Sequence, residues 1–263
     1  MKKKIISMIT ALACAVCAVG VMPAADNLVS AEIYSDDFSY GDYLKCGKVD
    51  EDEDGSYDYV RIIDCDESAT TVEIPAEIDN LPVTKIGDDA FEGCTNLSSI
   101  EIPDSVISIG NSAFSECEKL SAINVSSGNN NYASIDGVLF NKDKTELIQY
   151  PAGKSETTYT IPDSVTEIGS SAFYGCTSLS GIEIPDSVTS IGYSAFSGCE
   201  KLSAINVSSG NNNYASIDGV LFNKDKTELI QYPAGNFETA YTIPDSVTEI
   251  ERKHFPDAQI FQA

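Results

Sequence analysis

The chain has 263 residues and a formal net charge of −25 at pH 7, from 41 acidic and 16 basic side chains. A field this negative repels phosphate backbones and anionic membranes, which argues against nucleic acids and lipid surfaces as partners. Hydrophobic residues make up 42% of the chain, which is enough for a packed core, so we expect a folded protein.

The first predicted element is a secretory leader over residues 1–31. Three lysines precede an apolar run, Ile5–Met22, and Pro23 and small residues come after it, which is the order of a signal peptide. We expect cleavage after Ala31, with Ala25 as the alternative last residue removed. Because residues 1–31 contain three lysines and one aspartate, their loss changes the charge from −25 to −27.

Two alternatives for this leader stay open. The apolar run is at the short end of a membrane span, so it favours a removed leader over a retained anchor. A lipoprotein would need a lipobox before Cys14, and Ala11-Leu12-Ala13 matches one poorly. No second apolar stretch approaches 18 residues, so we expect a secreted, extracellular protein with no membrane insertion once the leader is gone.

The second predicted element is an N-terminal cap over residues 32–73, which has no repeat period. Two strand-like runs flank an acidic turn at Asp50–Gly55 and predict a β-hairpin that covers the exposed first coil of a solenoid. In the register that we expect, Cys46 lies near Tyr59. A disulfide between Cys46 and Cys65 is therefore left open.

The acidic turn raises the hypothesis of a calcium site. Asp50, Asp52, Asp54 and Asp58 fall at positions 1, 3, 5 and 9 of a calcium-binding loop. Position 12 is Arg61 instead of a bidentate glutamate, and strands flank the loop instead of helices. We therefore predict a solvated hairpin turn with no metal and keep the four aspartates as the alternative.

The third predicted element, over residues 74–263, is a repeat. The dipeptide Ile-Pro recurs with proline spacings of 28, 59, 23 and 59 residues, which gives a basic period of 23. The prolines are Pro75, Pro103, Pro162, Pro185 and Pro244. The period ends near Glu251, which stands where the other units have glycine.

Each 23-residue unit predicts one coil with two short strands and a tight turn. One coil cannot bury its own apolar edge, but stacked coils place like residues on like, as in Ile100 near Ile123, Ile182 near Ile205, and Phe173 near Phe196. Four cysteines also share one repeat position, and we expect buried, unpaired thiols there. They are Cys94, Cys117, Cys176 and Cys199.

Two islands, at about 124–160 and 206–242, interrupt the repeat. Most of each island lies in a 37-residue stretch that occurs verbatim at Cys117–Gly153 and at Cys199–Gly235. In each island two apolar runs flank Asn-Lys-Asp-Lys-Thr, which predicts a β-hairpin at an edge of the solenoid.

The repeated pattern L-x-x-I-x-I-P-x-x-V-x-x-I-G-x-x-A-F-x-x-C-x-x-L, with its YASIDGVLFNKDKTELIQYPAG inserts, resembles the BspA-like leucine-rich repeat family over roughly Ile74 to Ile250. The resemblance implies a right-handed leucine-rich repeat solenoid, an α/β but β-rich fold with short parallel strands. It also implies a secreted or surface-displayed bacterial protein that binds a host or bacterial surface protein or glycan.

The composition argues against catalysis. His254 is the single histidine, so Ser-His-Asp, Cys-His and histidine-rich metal sites are excluded. The chain has no tryptophan, whose ring could stack on a sugar in a glycosidase cleft. We therefore predict a monomeric, non-catalytic binding module without a cofactor; the alternative is a structural spacer array, or the remnant of a larger anchored surface protein.

The candidate ligand-binding residues form two groups. The first comprises outward positions beside the buried residues of the front strands, and the second comprises island tyrosines that offer amphipathic contact area. The outward residues are Ser99, Glu101, Asn124, Glu183 and Asn206. The tyrosines are Tyr132, Tyr150, Tyr214 and Tyr232.

Overall fold

A computed structural model describes residues 34–236 and 241–250. The predicted leader, both of its cleavage sites and the residues after Ile250 lie outside these ranges. The described residues form strands and turns without a helix, so the helical part of the expected α/β class is not supported and the fold is a β-solenoid. Within those ranges, no helix is long and apolar enough to span a membrane.

The described part of the chain starts with three antiparallel strands, where a hairpin was expected. The strands are β1 (Tyr34–Tyr40), β2 (Leu44–Val49) and β3 (Tyr59–Cys65). The expected register was wrong: Cys46 lies opposite Ile62, because the loop closes between Val49 and Tyr59 and so spans residues 50–58.

Short strands build the coils after the cap. In the first part they are β4 (Thr71–Glu73), β5 (Glu77–Ile78), β6 (Leu81–Ile86), β7 (Ser99–Ile102), β8 (Ser108–Ile109) and β9 (Ala122–Val125). All of these pair in parallel except β5, which pairs antiparallel with β6. Strands β4, β7 and β9 pair in parallel and are called the N-terminal front sheet. Strands β3, β6 and β8 pair in parallel behind it, so the cap continues directly into the solenoid.

Each verbatim copy contributes three strands beyond its front strand. In the first copy these are β10 (Tyr132–Ile135), β11 (Val138–Asn141) and β12 (Glu146–Gln149). The expected hairpin exists, since Phe140 pairs with Leu147. It does not lie at an edge, however, because β11 is buried from Val138 to Phe140 and β12 continues into the next coil.

The second part of the solenoid repeats the first. Its strands are β13 (Thr158–Thr160), β14 (Glu167–Ile168), β15 (Gly181–Ile184), β16 (Ser190–Ile191), β17 (Ala204–Val207), β18 (Tyr214–Ile217), β19 (Val220–Asn223), β20 (Glu228–Gln231) and β21 (Glu249–Ile250). Strands β13, β15 and β17 form the C-terminal front sheet. Strands β12, β14 and β16 pair in parallel behind it, and β20 pairs with β21.

The expected ladders of like residues are confirmed. Ile123 pairs with Ile100, Ile205 pairs with Ile182, and the ring centroids of Phe173 and Phe196 are 5.5 Å apart. Coils at the spacing of parallel strands, about 4.8 Å, leave little room between backbones. A Cβ on Gly192 would overlap the backbone of the previous coil, so this position needs glycine for close approach and not for a special turn.

Each island is from here on called an insert. The first insert is anchored to the solenoid by one buried side-chain amide, that of Asn129. Its Nδ2 donates to the carbonyls of Pro103 at 2.8 Å and Val106 at 2.9 Å in the preceding coil. Its Oδ1 accepts from the backbone N–H groups of Asn131 and Tyr132, both at 2.8 Å. The loop that the sequence marks only as polar is therefore tied to the core.

Asn211 makes the same four contacts in the second copy. Its Nδ2 donates to Pro185 and Val188, and its Oδ1 accepts from Asn213 and Tyr214. Both asparagines are fully buried. In each side-chain amide, the nitrogen donates both of its hydrogens and the oxygen accepts two hydrogen bonds, so no donor or acceptor is left unpaired.

The repeated cysteines are buried free thiols that donate to the preceding coil. Cys117 Sγ lies 3.0 Å from the carbonyl oxygen of Phe91, and Cys199 Sγ lies 3.0 Å from that of Phe173. Burial raises the pKa of Cys117 to about 12 and that of Cys46 to about 11. Because their ionisation is disfavoured, Cys46 and Cys117 are poor nucleophiles at neutral pH.

We predict slow thiol reactivity in the folded protein at pH 8, because all six cysteines are buried away from the reagent and burial also keeps Cys46 and Cys117 protonated. Protein lacking residues 1–31 is mixed with a colorimetric thiol reagent before and after denaturation without reductant. The denatured chain is expected to release six thiols, matching the six free cysteines. Fewer than six would mean that a disulfide joins two of them.

Candidate ligand-binding surface

The front strands expose every second residue. In β7 and β15 the isoleucines are buried and the glutamates between them are exposed, as the period of a strand dictates. Glu101, Asn124, Glu183 and Asn206 are exposed, and Ser99 is half-buried. The first group of predicted residues therefore lies on the solvent side of the front sheets.

Strand register sorts these residues into two rows. Glu101 lies beside Glu73 and Asn124 on the N-terminal front sheet. Glu183 lies beside Thr160 and Asn206 on the C-terminal front sheet, where Thr160 Oγ1 donates to Glu183 Oε2 at 3.3 Å. The structure thus brings the predicted residues together in two sets and not along one continuous strip.

The inserts cause this separation. The turn between β10 and β11 reaches the outer edge of β9, where the Gly137 carbonyl accepts from the Ile123 N–H at 2.9 Å. A Cβ on Gly137 would lie 2.9 Å from the Cα of Ala122, so the turn also covers this small outward residue. Gly219 repeats both contacts at Ile205 and Ala204.

Tyr150 is not a surface residue, so its predicted binding role is wrong. It is 1% exposed, and its ring stacks on Phe173 with centroids 5.3 Å apart. Its backbone N–H donates to the carbonyl of Ala172. One coil later, the Phe173 N–H donates to the carbonyl of Ala195 in the same way. Tyr150 therefore occupies the phenylalanine position of its own coil.

Tyr132 and Tyr214 have a structural role. The Tyr132 hydroxyl accepts from the Ile109 N–H at 3.0 Å, on the strand edge that the insert leaves without a parallel neighbour. Burial raises the pKa of Tyr132 and of Tyr214. The hydrogen bond to the Ile109 backbone partly offsets this rise in Tyr132, and the one to the Ile191 backbone does so in Tyr214. Tyr232 is half-buried, with its ring centroid 5.4 Å from that of Tyr241.

A groove of about 810 Å³ lies where the strands of the C-terminal front sheet end. It contains the predicted Glu183 and Asn206 together with acidic residues that sequence reasoning missed. The available signal was the Ile-Pro-Asp that recurs at the ends of β7, β13 and β15. The lining residues are Thr160, Asp163, Glu183, Ile184, Pro185, Asp186, Ser187, Asn206, Val207 and Ser208.

The acidic loop brings three of its four predicted aspartates together. One carboxylate oxygen each from Asp50, Asp52 and Asp58 lies within 4.8 Å of the others. Asp50 Oδ2 and Asp58 Oδ2 accept from loop N–H groups at 2.9 and 2.7 Å, while Asp54 caps Ser56 instead. The carboxylates therefore serve the loop's own backbone, and we infer no metal site from them.

Comparison with known proteins gives one family match. Residues 65–155 and 152–260 match the BspA type leucine rich repeat region, in six copies. No protein with a curated function matches the chain.

Several solved structures are similar. The pneumococcal vaccine antigen PcpA is 29% identical, with 52% of this chain and 39% of that chain covered and a TM-score of 0.47. A leucine rich cell surface protein from Faecalibacterium prausnitzii is 25% identical, with 81% and 65% covered and a TM-score of 0.43. A leucine-rich repeat protein from Bacteroides ovatus is 26% identical, with 81% and 60% covered and a TM-score of 0.45. The chain therefore spans less than two thirds of each of these proteins.

We predict that Tyr132→Phe lowers the free energy of unfolding by about 1–2 kcal/mol, because the Ile109 N–H loses its acceptor. Tyr214→Phe should cost the same amount, and the double variant should cost the sum, since the two sites share no partners. Chemical denaturation measures this, with Tyr43→Phe, whose side chain is 41% exposed, as the control. Equal stability of all four proteins would contradict the structural role.

Proposed function

The chain belongs to the BspA type leucine rich repeat family, and from this membership we propose that it is a non-catalytic binding module of adhesin type. The partner is a host or bacterial surface protein or glycan. The observation that carries the proposal is the exposed row of Thr160, Glu183 and Asn206, which lines a groove of about 810 Å³. Rigid strands hold this row in place, which favours a preformed surface.

The proposal includes export and a monomeric solenoid. The sequence of residues 1–31 supports secretion, and export would place the front sheets in contact with other cells. We also propose right-handed winding, which is the hand that nearly all parallel crossover connections take.

A spacer array is the second candidate, and one observation favours it. Asn129, Tyr132 and Tyr150 of the verbatim insert all bond or pack within the solenoid. An insert with this role lengthens the array without presenting a ligand site. The two candidates differ in whether the front face binds anything.

The test is binding of the purified chain, without residues 1–31, to an array of immobilised matrix proteins, serum proteins and bacterial surface glycans. Two variants with the same charge change are compared on every ligand that binds saturably. Glu183→Arg alters the front row, and Glu167→Arg alters an exposed glutamate on β14 behind it.

A front-face binder should lose at least tenfold in affinity with Glu183→Arg and less than twofold with Glu167→Arg. Saturable binding to no member of the array, or equal losses in both variants, would contradict the proposal and support the spacer.

A further inference from the structure

The groove of the C-terminal front sheet concentrates negative charge. Asp163 and Asp186 occupy the same position in consecutive coils, and Glu183 stands beside them on β15. Parallel neighbours are about 4.8 Å apart, so the groove holds carboxylates from adjacent coils side by side.

No basic side chain of the groove offsets this charge. The ten lining residues include neither lysine nor arginine. Within residues 34–236 and 241–250, Asp163, Glu183 and Asp186 form no ion pair, although basic residues elsewhere, such as Lys48 and Lys154, do pair with acids. The groove therefore has the electrostatics of a surface that a cationic partner would complement.

The backbone of the second insert packs against one of these carboxylates, that of Asp186. The position of a Cβ on Gly210 would overlap the Asp186 carboxylate, so the loop backbone lies directly against this side chain. A carboxylate held against backbone loses less rotamer freedom on binding than a freely rotating one. The second insert thereby shapes a surface to which none of its own tyrosines contributes.

The rest of the lining suits the stems and backbone of a peptide. Val207, which is half-buried, gives the groove apolar surface, on which the methylene stem of lysine or arginine can pack while its charged end reaches a carboxylate. Asn206 and Ser208 add an amide and a hydroxyl, which can donate to or accept from a peptide main chain.

We propose that this groove docks an extended segment of a partner protein that carries several lysine or arginine residues. The inference rests on the proposed binding function and names the chemistry of the segment that is bound. Three carboxylates take the cationic ends, and Val207 contacts the stem of one of them.

The experiment uses a fluorescent ten-residue peptide that alternates lysine and serine, with its glutamate–serine counterpart as the control ligand. Fluorescence anisotropy measures binding to the chain without residues 1–31 at about 50 mM salt, where surface charges are weakly screened. The test variant is Asp163→Asn/Glu183→Gln/Asp186→Asn.

The matched control variant is Glu73→Gln/Glu101→Gln/Asp104→Asn. It removes the same three charges from the N-terminal front sheet, where Asp104 lies against Gly128 as Asp186 does against Gly210. Both variants therefore change the overall field of the protein by the same amount.

We expect saturable binding of the lysine peptide, a loss of at least tenfold in the test variant and less than twofold in the control variant. Equal losses would mean that net charge alone attracts the peptide, and no saturable binding would mean that the groove is not a docking site; either overturns the inference. Spermine that displaces the peptide at equal or lower concentration would overturn the assignment to a peptide.

Failure here is distinguishable from failure of the proposed function. If a ligand of the array loses affinity with Glu183→Arg while the lysine peptide fails, the front face binds a partner of different chemistry. If the array finds no ligand, the binding function itself is wrong.

Discussion

The rest of the structure depends on a buried amide that bridges the solenoid and its insert. A solenoid satisfies its backbone by pairing each coil with the next, so any insertion leaves unpaired N–H and C=O groups at the break. Asn129 fills this gap with two donated and two accepted hydrogen bonds, and Tyr132 supplies an acceptor for the strand edge beside it. With those groups satisfied, β12 can resume parallel pairing with β14.

The verbatim repeat reflects the same constraint. Asn211 and Tyr214 make the contacts of Asn129 and Tyr132 one block later, so the duplicated stretch carries its own means of closing the break. The inserts also divide the front face into two sheets, because the turns at Gly137 and Gly219 occupy the edges of β9 and β17. Two short sheets remain exposed, and the proposed binding surface lies at the strand ends of the second.

The sequence predicted the features that periodicity controls. A 23-residue period placed the isoleucine, phenylalanine and cysteine ladders correctly, because stacking makes equivalent positions neighbours. It could not place Tyr150, since an apolar run indicates a strand but not the strand with which it pairs. It also failed at Asn129, because a buried asparagine with four partners looks, in sequence, like any asparagine of a polar loop. The groove escaped prediction although Asp163 and Asp186 share one repeat position, because the period does not show which exposed positions border a groove.

The most direct measurement is the free energy of unfolding of Asn129→Ala beside that of Asn130→Ala, its exposed neighbour. Removing the buried amide leaves several backbone groups without partners, each costing about 1–3 kcal/mol when desolvated, so a loss of about 3 kcal/mol or more is expected. Asn130→Ala should change stability by less than about 0.5 kcal/mol, as surface substitutions usually do. Equal stability of the two variants would contradict the claim that this amide holds the insert in the solenoid.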